Sequence, residues 1–133
     1  MKEKPGVLVT KPMFHVGLDE FRDFCTPHAL WESERPDELL RQVAPTCRAV
    51  ALRDVFTAQM MEQLPQLGLI SVCGVGYDDV DVQAALDRGI QVTHTPGVLT
   101  EDVADLAVGL VLAAGRRIVQ GDQYVRSGRW SAE

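Results

Sequence analysis

The chain has 133 residues, 46% of them hydrophobic, enough for one globular domain that buries about two thirds of the surface its unfolded form would expose. Its 19 acidic side chains outnumber 13 basic ones, for a net charge of -6. The Arg and Lys residues are scattered singly or in pairs, so no basic stripe is present to neutralise the phosphates of DNA or RNA. Cys25, Cys47 and Cys73 form neither a CxxC pair nor the Cys/His spacing of a zinc site and fit reduced thiols in a cytoplasmic protein. The most apolar run, 103–115, is interrupted by Asp105 and falls short of the ~18 residues a bilayer span needs; nothing before Pro5 reads as a signal peptide, so a soluble protein is expected.

Strands and helices alternate along the chain. Residues 6–10 (GVLVT) form a short β-branched run closed by Lys11-Pro12, and 18–25 (LDEFRDFC) set Leu18, Phe21, Phe24 and Cys25 at helical spacing. A weaker strand is expected at 28–31. Pro36 then opens a helix at its tolerated first turn, with Leu39, Leu40 and Val43 on one face, and 49–52 returns as strand. Met60, Met61 and Leu64 mark a short amphipathic helix stopped by Pro65. Residues 67–73 (LGLISVC) read as a buried strand, Asp81 caps a helix over 82–88, Gly89 supplies a left-handed end, and 90–93 is the fifth strand. Five strands alternating with four helices call for an α/β domain with a mostly parallel sheet covered on both faces, its ligands gathered outside the carboxyl ends of the strands.

The loop Gly74-Val75-Gly76 follows a strand and precedes a helix, as a dinucleotide phosphate loop does. Asp79, however, stands where that fingerprint places its third glycine, and Asp78, Asp79 and Asp81 would set three negative charges beside a pyrophosphate. Two readings are left. The glycines serve a tight turn, or they free the amides of Val75 and Gly76 to grip a small carboxylate. Arg53, at the end of the third strand, is either a solvated surface group or a positive charge facing the same cleft. Thr100 is a natural N-cap, with Glu101 and Asp102 complementing the dipole of the helix it opens. His15 and His28 read as ordinary surface or half-buried histidines.

From 103 to 119 apolar residues occupy nearly every face, and a helix apolar all round must be buried all round. Ala104, Ala107, Gly109 and Ala113 are small enough to admit another backbone. A leucine-rich helix at the centre of a monomer is the competing reading, although the residues before it can cover only one side.

The segment 72–81 (VCGVGYDDVD), the Thr95-Pro96-Gly97 turn, the apolar helix and the R-x-G-x-W ending at Trp130 together resemble the D-isomer-specific 2-hydroxyacid dehydrogenases. The resemblance is strongest to their glyoxylate, hydroxypyruvate and hydroxyphenylpyruvate reductase branch. It runs over roughly 7–130 and is tightest from Val72 onward. It implies a flavodoxin-like five-stranded parallel sheet as a substrate-binding domain in 1–99. Residues 100–133 would then supply a hinge, one long interdomain and dimerisation helix, and the start of a nucleotide-binding domain absent from the chain. The implied reaction reduces a small 2-oxo acid, such as glyoxylate or hydroxypyruvate, to the D-2-hydroxy acid with hydride from NADPH or NADH.

On that resemblance Arg53, Gly74, Val75 and Gly76 bind substrate, Val75 and Thr100 lie near the nicotinamide, and a homodimer forms through 103–119. Many relatives spell the Arg region R-S-x-T, whereas 53–57 here is RDVFT. Asn is common where His94 stands, so His94 receives no task. The family's phosphate loop, catalytic Arg and Glu/His acid pair fall beyond Glu133, so no catalytic residue is assigned and the chain by itself is expected to be inactive. Two other classes compete with this reading. A signalling receiver shares the alternation and could use Asp54 as phospho-acceptor, but it wants an acidic pair where Lys11-Pro12 stands and a Lys where Thr95-Pro96 stands. A non-catalytic binding or dimerisation module derived from the same fold is the alternative function.

Overall fold

The computed structural model describes residues 4–13 and 17–131; His15 lies outside them. The chain divides into two compact units, Met1–Pro96 and Gly97–Glu133.

In the first unit five strands, β1 (Gly6–Val9), β2 (Thr26–Ala29), β3 (Cys47–Leu52), β4 (Leu69–Val72) and β5 (Gln91–Thr93), form one sheet in the order β2-β1-β3-β4-β5. Every pairing is parallel, with Leu8 opposite Val50 and Val50 opposite Ile70 in adjacent ladders. This is the flavodoxin-like order, in which the chain winds outward in both directions from a switch point between β1 and β3. The connections carry helices α1 (Leu18–Phe21), α2 (Pro36–Val43), α3 (Ala58–Glu62) and α4 (Val82–Asp87). Leu8, Val50, Leu52 and Ile70 from the strands, with Phe56, Met61 and Leu64 from the connections, are fully buried and make the core.

The expected helix over 18–25 is shorter than its apolar spacing suggested. It stops at Phe21, Phe24 is 80% exposed, and β2 begins at Thr26. Pro27 accounts for the strand start, because the residue before a proline is pushed from helical to extended backbone, and the amide of Thr26 then donates to the carbonyl of Pro5 at 2.9 Å. Trp31, expected at the end of that strand, sits instead in a 3-10 turn over Leu30–Glu32. The cap of α4 is as expected: Asp81 Oδ1 accepts from the Ala84 amide at 3.0 Å, and Gly89 takes φ 68° beyond its end.

The second unit holds α5 (Thr100–Gly115) and α6 (Ile118–Arg126). The single helix expected over 103–119 is therefore broken. Gly115 is a weak helix former, and Arg117 adopts a left-handed φ of 52° that no α-helix can continue through. Thr100 is the first helical residue rather than the cap; Leu99 holds the cap position and makes no side-chain bond there. No residue of α5 or α6 is buried. No helix among the described residues is long and apolar enough to cross a membrane.

Candidate functional site

Parallel strands all end on one side of the sheet, and ligands of such sheets bind beyond those ends. There, between the ends of β3 and β4, lies a cleft of about 260 Å³ lined by Arg53, Asp54, Cys73, Gly74, Gly76 and Asp79 among others. Larger hollows, of about 500, 470 and 350 Å³, lie elsewhere: the first at the opposite, amino ends of the strands around Gly6, Thr26 and Thr46, the second beside α1, and the third around Arg22, Cys25 and Pro27. The smaller cleft is the candidate site because none of these larger hollows gathers the carboxyl ends of β3 and β4.

The floor of the cleft is held by main-chain hydrogen bonds. The amide of Phe56, a fully buried residue, donates to the Asp79 carbonyl at 2.9 Å and its carbonyl accepts from the Asp81 amide at 3.2 Å, pairing with Val80 as an isolated parallel bridge. The loop above it is held by its carbonyls. The Thr95 amide donates to the Gly74 oxygen at 2.9 Å, and His94 Nδ1 lies 2.9 Å from the Val75 oxygen. In a planar trans peptide the N–H points opposite to the C=O. With the Gly74 and Val75 carbonyls turned toward the end of β5, the amides of Val75 and Gly76 turn away from it, and neither donates to any group among the described residues.

The turn itself does not require either glycine. Neither has a positive φ, a Cβ on Gly74 would meet nothing within 4 Å, and one on Gly76 would meet only Asp78 Oδ2 at an ordinary 3.6 Å. The space over these glycines is open to an incoming group. Two free amides across such a gap make an anion-binding concavity.

Arg53 lines the cleft, with its main-chain amide bonded to Thr10 Oγ1 at 3.0 Å and one guanidinium N–H donating to the Pro12 carbonyl. Asp54 beside it is paired with Lys11 at 2.7 Å, and that hydrogen bond, with a second from the Val55 amide, holds its carboxyl below the usual range. Gly74, Gly76 and Arg53 thus share one cleft, and Val75 stands between the two glycines, 43% exposed. Thr100 belongs to the second unit. His94 was missed from the sequence, where a lone His past a short strand carries no signal. The parallel register Ser71 opposite Thr93 brings the residue after β5 level with the loop after β4.

These residues do not fit the pyrophosphate of a dinucleotide. The six-residue α4 already has its N-terminus capped by the Asp81 carboxylate, and Asp78 and Asp79 precede it in the same loop. Among the described residues no group of three or more His, Cys, Asp or Glu could hold a metal ion.

A flavodoxin-like parallel sheet with a cleft beyond the carboxyl ends of its strands defines the class of domain, and comparison with known proteins names the family. The chain belongs to the D-isomer specific 2-hydroxyacid dehydrogenases, whose catalytic domain matches residues 7–130. It is 40% identical over 131 residues to the glyoxylate reductase of Korarchaeum cryptofilum, covering 96% of this chain and 39% of that protein. Among solved structures it resembles a 2-hydroxyacid dehydrogenase from Ketogulonicigenium vulgare, at a TM-score of 0.88 and 42% identity over 98% of this chain and 42% of that one. It also resembles the NADPH-dependent glyoxylate/hydroxypyruvate reductase of Sinorhizobium meliloti in complex with NADP and malonate, at a TM-score of 0.74 and 32% identity over 98% and 40% of the two chains. The chain thus spans about two fifths of the length of these relatives.

Proposed function

We propose that residues 1–99 form the substrate-binding domain of a reductase that converts a small 2-oxo acid, such as glyoxylate or hydroxypyruvate, to the D-2-hydroxy acid. The observation that carries this reading is the pair of amides at Val75 and Gly76, without a partner among the described residues, above an open glycine cleft. They supply two donors for the substrate carboxylate, and the Arg53 guanidinium adds positive charge at the same cleft. The hydride comes from NADPH or NADH. Its pyrophosphate finds no cradle among the described residues, so in this reading the dinucleotide is held by a nucleotide-binding domain outside the chain, and its nicotinamide end meets Val75 and Thr100. The chain by itself is then inactive.

Residues 100–133 serve in this reading as hinge and dimerisation segment. Val103, Leu106, Leu110 and Val111 are 60%, 62%, 60% and 71% exposed, and a homodimer through 103–119, together with the nucleotide-binding domain, would cover them. The free thiols Cys25, Cys47 and Cys73 suit a cytoplasmic setting.

The test is a titration of the isotope-labelled chain with malonate, followed through the amide resonances of Val75 and Gly76. Saturable displacement of both is expected. Movement confined to other residues, or none, overturns the proposal.

A further inference from the structure

We propose that His94 is a positioning residue for this site: its Nδ1–H grips the Val75 carbonyl and so aims the Gly76 amide of the same peptide into the cleft. The inference rests on the carboxylate reading above and adds to it the side chain that makes the loop competent. A carbonyl oxygen can only accept, so the 2.9 Å contact requires the proton on Nδ1, which selects one tautomer of the neutral ring. The ring is steadied on another side by Tyr77, whose ring centroid lies 5.0 Å away at 71°, an edge-to-face arrangement.

The two peptides of the loop are pinned by different means. The Gly74 carbonyl is held by the main-chain amide of Thr95, a bond that any residue except proline at that position could make. The Val75 carbonyl is held by a side chain, and among the described residues no other donor reaches it. Gly74 and Gly76 flank this peptide, and with no contact tighter than 3.6 Å for a Cβ at either, the surrounding chain does little to stop the Val75–Gly76 peptide from turning over. Turning it would present a carbonyl, not an N–H, to the substrate carboxylate. His94 therefore contributes before any ligand arrives, by removing loop conformations that cannot bind an anion.

The test uses four versions of the chain and malonate as probe. In His94→Asn the side-chain Nδ2 is attached to Cγ, as Nδ1 is in histidine, so it can donate from nearly the same place. In His94→Gln the nitrogen lies one bond further out, and in His94→Phe the aromatic contact with Tyr77 is kept while the donor is lost. Malonate binding followed at the Val75 and Gly76 amides should weaken roughly three- to tenfold in His94→Phe and His94→Gln, the effect of one hydrogen bond, and recover to within about twofold of the parent in His94→Asn. Binding by the parent with equal affinity in all three variants overturns the role of His94 and leaves the carboxylate reading standing. Failure of the parent to bind overturns the carboxylate reading, and the positioning role with it. A long-range proton–nitrogen spectrum of the parent needs no variant: a proton on Nδ1 supports the inference, and a neutral ring protonated on Nε2 overturns it.

Discussion

Lys11 Nζ lies 2.7 Å from Asp54 Oδ2, tying the segment after β1 to the segment after β3 at the rim of the candidate cleft. The hydrogen bond from Lys11 is the main reason the Asp54 carboxyl sits below its ordinary value of 3.8. A carboxyl depressed in the folded state stabilises the fold above its unfolded value, and that contribution is lost as the pH falls through the folded one. Both side chains are about half exposed, so the pair is worth at most ~1 kcal/mol. Asp54→Asn should lower the urea midpoint slightly at pH 7 and leave it unchanged well below 3.8. An equal loss at both pH values would show that the charge is irrelevant.

Gly6→Ala should destabilise the first unit by ~1 to 3 kcal/mol. A Cβ at this position would stand 3.0 Å from the Thr46 oxygen and 3.2 Å from its carbon, both backbone atoms where the β1–β3 register shifts. Urea denaturation of the variant against the parent measures this, and an unchanged midpoint would mean that the strand start yields easily.

Gly76→Ala separates folding from binding. With only an ordinary 3.6 Å contact and no positive φ, the methyl group should leave stability unchanged or raise it by up to ~1 kcal/mol. In the carboxylate reading it narrows the cleft and removes one or two charge-assisted hydrogen bonds, so malonate affinity should fall at least roughly tenfold. Loss of stability with intact binding would assign the glycine to the turn instead.

The exposed apolar faces of α5 should drive self-association, since leaving even about 400 Å² of extra apolar surface in water costs on the order of 10 kcal/mol. Sedimentation at tens of micromolar should show dimer or larger for the parent and should shift for Leu110→Lys, a residue 60% exposed in the chain alone. A clean monomer for the parent would contradict the dimerisation proposal.

Without a pyrophosphate cradle the chain should not oxidise NADPH in the presence of hydroxypyruvate or glyoxylate. The decisive reading is absorbance against a buffer blank. A rate above it would place catalytic groups within these residues.

Most of the architecture was legible in the residues because its signals are local. The helix start at Pro36, the cap at Asp81 and the left-handed Gly89 each depend on a few neighbouring atoms, and alternation of strand and helix called for parallel order before any contact was known. The loop Gly74-Val75-Gly76 was likewise visible as a pattern. Boundaries that depend on competition were less so: the stop at Phe21, ahead of the extended Thr26-Pro27 that opens β2, and the break at Arg117 inside an apolar run that spacing alone would have continued to 119.

What the sequence by itself determined is the class of fold, the family it resembles and the loop that could hold an anion. Only the tertiary structure decided how that loop is oriented, because the deciding bonds join residues distant in the chain. Thr95 reaches back to Gly74, and His94 to Val75, only because β5 lies beside β4 in the sheet. The same holds for the glycines: whether a Cβ meets backbone, as at Gly6, or open space, as at Gly74, is a property of what packs opposite, and no local pattern encodes it.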